Sequence, residues 1–142
     1  MFLTFTQNPL VFVTEGAADA ATIWKCHGVC AVACMGTPNL RNVIIALMDH
    51  APDFELVLCA DNDEAGLKVA RKASADFGLR LAVPPIDGDI NDLYLEQGEQ
   101  AVRDCLNGAK VYEPSAAEVL KEEKKPEKEI PNPRQALLAL CV

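Results

Sequence analysis

Three times between residues 10 and 78, a short run of β-branched and apolar residues ends in a glycine or a carboxylate and then passes into a stretch with helical spacing. Strands that alternate with helices of about 10 to 15 residues are joined by crossovers, and these put helices on the faces of a mostly parallel sheet. The expected class is therefore α/β, with about four strands flanked by helices. In such sheets ligands bind beyond the carboxyl ends of the strands. The residues that close each apolar run are accordingly the first place to look for chemistry.

The first strand is expected over 10–14, closing in Glu15-Gly16, with a helix over 19–27. A second apolar run covers 29–35, and Gly36-Thr37-Pro38 then supplies a strand end, an N-cap and a proline at the first helical position. Leu40, Val43, Ile44, Leu47 and Met48 recur at helical spacing. A third strand over 55–60 carries Asp61-Asn62-Asp63 at its end, and a helix over 64–77 is closed by Gly78. A fourth strand over 79–83 stops at Pro84-Pro85, and a last helix over 91–106 stops near Asn107-Gly108.

The core is expected to end there, giving a domain over 1–110 and a tail over 111–142. From 113 to 133 the chain carries prolines at 114, 126, 131 and 133 and a mixed Lys/Glu run with almost nothing apolar to bury, which reads as a linker or mobile tail. The final stretch, 135–142, is apolar enough for a short helix that docks on the domain or on a neighbour.

Composition narrows the function. With 21 Asp+Glu against 13 Lys+Arg, the chain repels a phosphate backbone at long range, so nucleic-acid contact must be local or bridged by cations. The net charge argues against a simple DNA-coating protein. The 6 cysteines come without a leader pattern, and they read as reduced, small core residues in a cytoplasmic protein. Cys26, Cys30 and Cys34 form no Cys-x-x-Cys pair, which argues against zinc. No apolar run reaches the roughly 18 residues a bilayer requires, so no membrane partner is expected.

Asp61 and Asp63 stand two residues apart where an apolar strand stops, so the strand period aims both at one side of the sheet edge. Glu15 ends the first strand in the same way. Two carboxylates about 4 Å apart repel by roughly 4 kcal/mol at an effective dielectric near 20, and a bound cation relieves this most easily. Oxygen-only ligands suit magnesium or manganese, which keep several waters and accept one or two carboxylates. The competing reading of Asp61-Asn62-Asp63 is as a cap for the following helix. Asp19 likewise reads either as a helix N-terminal charge or as a residue of open role.

Glu15-Gly16-Ala17-Ala18-Asp19-Ala20 and Asp61-Asn62-Asp63-Glu64-Ala65-Gly66 occur in this order, each after a strand. Together they resemble the signature of the Toprim family, shared by bacterial-type primases, topoisomerases, small nucleases and recombination proteins. The resemblance covers about residues 10–108 and implies a Rossmann-like Toprim fold. Gly36-Thr37 and Asp87-Gly88-Asp89-Ile90-Asn91-Asp92-Leu93 resemble further elements of the primase branch, although Ile90 stands where primases commonly carry proline.

The resemblance implies that Glu15 acts as general acid or base at the reacting oxygen, and that Asp61, Asp63 and Asp89, with Glu15 beside them, hold magnesium or manganese. Asp87 and Asp92 read instead as caps. Gly16 and Gly66 would let backbone pass close to the site, and Gly36 and Thr37 are candidate phosphate neighbours, Thr37 with a competing reading as an N-cap. Lys68, Arg71 and Lys72 lie along the helix after Asp63 and could touch phosphates, or simply be solvated.

A topoisomerase of this family needs a tyrosine nucleophile, and Tyr94 and Tyr112 both lie outside the strand-end cluster. The order of motifs resembles plasmid or phage primases and primase-helicases, in which Toprim follows a zinc module and a basic lobe. The implied activity is metal-dependent nucleotidyl transfer with DNA template, primer and nucleotides as partners, dependent on further domains of a longer primase or helicase. Two other readings stay open: a small stand-alone nuclease using the same acids, and a non-catalytic module that binds nucleic acid or a protein partner.

Overall fold

The computed structural model describes residues 9–118. Five strands, β1 (Leu10–Thr14), β2 (Cys30–Ala33), β3 (Glu55–Cys59), β4 (Arg80–Ala82) and β5 (Lys110–Val111), form one sheet in the order β2-β1-β3-β4-β5. The first four are parallel, with Val13 paired to Val32 on one side and to Leu58 on the other, and β5 runs antiparallel to β4. Helices α1 (Ala17–His27), α2 (Leu40–His50), α3 (Glu64–Phe77) and α4 (Ile90–Asn107) make the connections, with a 3-10 turn at Thr37–Asn39 leading into α2.

The strand period of two divides the core. Val11, Val13, Leu56, Leu58 and Leu81 pack on one face with Leu40 and Ile44 of α2 and Ala70 and Ala73 of α3. Phe12, Val57, Cys59 and Ala82 pack on the other with Ile23 and Cys26 of α1 and Leu93, Val102 and Leu106 of α4. Both faces are covered, which is why the strands read as near-continuous apolar runs rather than alternating ones. Each fully buried Val, Leu, Ile or Phe among them contributes roughly 1.5–3 kcal/mol.

The α/β class expected from sequence is the fold observed, with departures at its margins. β2 ends at Ala33 rather than near 35, because Met35 takes a left-handed conformation with φ of 58° that no strand accommodates. Cys26, Cys34 and Cys59 are buried as expected, but Cys30 is exposed because β2 is an edge strand. α4 bends at Gly98, whose φ of 84° and ψ of −174° are not helical.

The expected end of the core near Gly108 is too early. β5 follows it, and the backbone N–H of Tyr112 donates to Oγ of the buried Ser74 at 2.9 Å. Of the expected tail, residues 113–118 are described: Glu118 accepts from the Ser115 N–H at 2.9 Å and from the Tyr112 hydroxyl at 2.8 Å. The remainder of the 113–133 stretch, and the helix expected over 135–142, lie outside the described residues.

Candidate metal centre at the carboxyl edge of the sheet

In the strand order 2-1-3-4, chain direction reverses across the sheet between β1 and β3, and in doubly wound sheets that switch point is where ligands bind. Glu15 follows β1 and Asp61 follows β3, so the topology sets them on either side of it. One depression there is lined by Glu15, Thr37, Asp61 and Gly66 together with Cys34 and Cys59. The backbone around Glu15 is pinned: its carbonyl accepts from the Gly36 N–H at 3.2 Å, and Thr14 Oγ1 donates to the Gly16 carbonyl at 2.9 Å.

Asp63 is the N-cap of α3. Its Oδ1 accepts from the Gly66 N–H at 2.7 Å, so the capping role weighed for the Asp61-Asn62-Asp63 stretch is realised at this residue. Gly66 is in close approach, since a Cβ there would lie 3.3 Å from the Asp61 carbonyl oxygen and 3.2 Å from Asp63 Oδ1, so a side chain would make these neighbours give by a few tenths of an ångström. Asp89 caps α4 in a reciprocal box: its Oδ1 accepts from the Asp92 N–H at 2.8 Å, and Asp92 Oδ2 accepts from the Asp89 N–H at 3.3 Å. Each cap engages one carboxylate oxygen of Asp63 and Asp89.

Thr37 does not cap its turn as expected. Gly36 occupies the cap position, no side-chain cap bond forms, and Thr37 instead borders the depression. Lys68 does not line that depression; with Arg71 and Lys72 it lines a groove between α3 and residues 112–118. Gly16 sits at the N-cap position of α1, ahead of Asp19.

Asp19 belongs to the electrostatics of the cluster more than its sequence position suggests. It is buried, and its Oδ1 accepts from the Asn91 N–H at 3.1 Å. Burial, offset in part by that bond and reinforced by Asp89, pushes its carboxyl up to about 6. Asp61 is pushed up to about 7, first by burial and then by Asp19, Glu15, Asp89 and Asp63. The charged neighbours that act most strongly on Asp61 are all acidic, so they favour its protonated form. Asp19 reaches the cluster through Asp89 and through Asn91, 72 residues further along the chain, so no local spacing could have joined it to the site.

The sequence from residue 10 to 100 matches the Toprim domain family. The chain belongs to the Toprim domain family. Glu15, Asp61 and Asp63 fall inside the matched span. The chain is related to DNA primases: it is 29% identical over 106 residues to a Thermotoga maritima DNA primase, covering 71% of this chain and 18% of that protein. The RNA polymerase domain of Mycobacterium tuberculosis primase DnaG is similar in structure, with a TM-score of 0.54 and 28% identity over 72% of this chain and 37% of that one. A chain from the bacteriophage T7 complex of lagging-strand DNA polymerase with primase domains shares the fold, with a TM-score of 0.62 and 22% identity over 76% of this chain and 58% of that one.

Among the described residues, no group of three or more His, Cys, Asp or Glu side chains is drawn together closely enough to hold a metal as placed. The donor chemistry nonetheless fits a hard cation. Glu15, Asp61, Asp63 and Asp89 offer only oxygen, the two capping carboxylates each engage only Oδ1 in the cap, and Asp61 is held above its usual range by burial and by acidic neighbours. Magnesium-type sites of this kind take one or two carboxylates directly and fill the remaining positions with water and phosphate oxygens.

Proposed function

We propose that this Toprim domain is the metal-binding part of a DNA primase-type nucleotidyltransferase, acting on a nucleic-acid strand together with further domains. The observation that carries the reading is Asp61 at the β1/β3 switch point, facing Glu15 across one depression, its carboxyl raised to about 7 by burial and then by Asp19, Glu15, Asp89 and Asp63. Relatedness to primases supports it. The chain spans 18% of the length of the Thermotoga maritima primase, so the activity of that whole protein is a proposal for this one. The primase domain from Mycobacterium tuberculosis has been described in complex with double-stranded DNA, which supports nucleic acid as the partner.

Magnesium or manganese, when bound, supplies a Lewis acid that polarises a phosphoryl oxygen and offsets developing charge. Asp61, once deprotonated, would hold the ion together with Asp63 and Asp89, the latter two through oxygens their caps leave over. Glu15, across the switch point, moves the proton at the reacting oxygen. Thr37 and the Gly36 and Gly66 backbone border the space where phosphate would lie, with Gly16 behind Glu15. Lys68, in its separate groove, contributes to a flanking strand rather than to the reacting phosphate. The described thiols are all free, and no helix among the described residues is long and apolar enough to cross a membrane; a cytoplasmic setting is proposed from the relatedness to DNA primases.

The test is to supply this chain with a basic template-binding domain, template, nucleotides and magnesium, and to follow extension of a dinucleotide. Extension that disappears in Glu15→Gln and in Asp61→Asn supports the reading. No extension, but metal-dependent cutting of single-stranded DNA by the chain alone that is lost in Asp63→Asn, replaces transfer with hydrolysis. Neither reaction, with nucleic acid still bound, leaves a binding module.

A further inference from the structure

Two acidic loops approach each other at the carboxyl edge, one after β3 carrying Asp61 and Asp63, the other before α4 carrying Asp87 and Asp89. The residue between the two aspartates ties them. The Asn62 backbone N–H donates to the Gly88 carbonyl at 2.7 Å, and Asn62 Nδ2 donates to the Ile86 carbonyl at 2.8 Å. Gly88 accepts this bond from a backbone with φ of 129°, and a Cβ on it would come within 2.4 Å of Asp92 Oδ2, so only glycine suits the loop shape that the tie grips.

The far side of the same loop is held from α1. Asn91 donates its N–H to Asp19 Oδ1 at 3.1 Å, and its Oδ1 accepts from Thr22 Oγ1 at 3.0 Å. Asp89 therefore sits between two anchors, one on each neighbouring element. Asp89 meets like charge from Asp61 and Asp19, although its side chain also hydrogen-bonds Asp19, so the loop that carries it is held against repulsion. Hydrogen bonds to the carbonyls of the loop oppose this without adding charge to the cluster.

We propose that Asn62 is a positioning residue, whose two hydrogen bonds set the distance of Asp89 from Asp61 and Asp63. The inference rests on the metal reading given above. Its side chain donates to a backbone carbonyl, so an aspartate in its place would set acceptor against acceptor, and an alanine would leave the backbone bond alone. Partners that orient metal ligands from behind commonly change metal affinity on the order of tenfold or more when removed.

Two readouts separate the inference from the reading it rests on. Amide exchange in metal-free protein should quicken at residues 86–89 in Asn62→Ala, with the melting transition still cooperative. Manganese should bind Asn62→Ala about tenfold more weakly than wild type, and that loss should vanish when Asn62→Ala is made in an Asp89→Asn background. Unchanged exchange at 86–89 overturns the inference, as does an equal loss of affinity with and without the Asp89 carboxylate. Wild-type protein that fails to bind manganese overturns the metal reading instead, and quickened exchange in Asn62→Ala then still supports the tie.

Discussion

Asp61 and Asp19 give the domain a pH dependence whose sign follows from their neighbours. Both carboxyls titrate above the unfolded value of about 3.9, at about 7 and about 6 respectively. The folded state therefore binds protons more tightly than the unfolded chain, and the stability this confers is full below about pH 4 and lost as pH rises through about 7. In chelator, the melting temperature of Asp61→Asn should fall less between pH 4 and 7.5 than that of wild type. Equal slopes would mean that Asp61 does not carry the strain.

The same scale separates the two duties of Asp63. Asparagine also caps helices, so Asp63→Asn should leave the melting temperature nearly unchanged while weakening manganese binding; Asp63→Ala should cost about 1 kcal/mol of stability as well. Glu15 and Asp61 were legible in the sequence because a parallel strand points to its own carboxyl end. The environment of Asp89 was not, because Asn62 and Ile86 are 24 residues apart and no local spacing records a bond between them.

At the level of elements, the three βα repeats were legible because each carries a long apolar period and a glycine or cap at its end. β5 was not, since Lys110–Val111 is too short to show a period and both residues are exposed. Its attachment nevertheless reaches the core through Ser74, whose Oγ donates to the Leu79 carbonyl at 2.6 Å and accepts from Tyr112. Ser74→Ala should destabilise by about 1–3 kcal/mol, because it leaves buried partners without a bond. A chain ending at Glu118 should melt above one ending at Lys110, by about 4–8 °C for each kcal/mol that β5 and Tyr112 contribute. Coincident melting of the two truncations would show that β5 is ornamental.

For the molecule as a whole, a net charge of −8 makes it a poor match for a phosphate backbone outside the cation-bridged edge. The isolated chain should make little or no primer even with metal, and added salt should change its weak nucleic-acid affinity only slightly. Robust template-directed synthesis by this chain alone would contradict the need for a basic partner domain. Charge balance made this legible before the fold was known, whereas the separation of Lys68, Arg71 and Lys72 from the acids depends on which way α3 turns its faces, and only packing decides that.

The account stands on a cation site at the carboxyl edge of the sheet, and manganese titration of the metal-free chain at pH 8, followed by calorimetry, tests it most directly. One ion per chain should bind at millimolar or tighter affinity, more weakly as pH is lowered through about 7 because Asp61 must lose its proton first. The Asp61→Asn, Asp63→Asn double variant, still folded by its far-ultraviolet circular dichroism, should not bind in that range. Equal binding by the wild type and the double variant would contradict the claim.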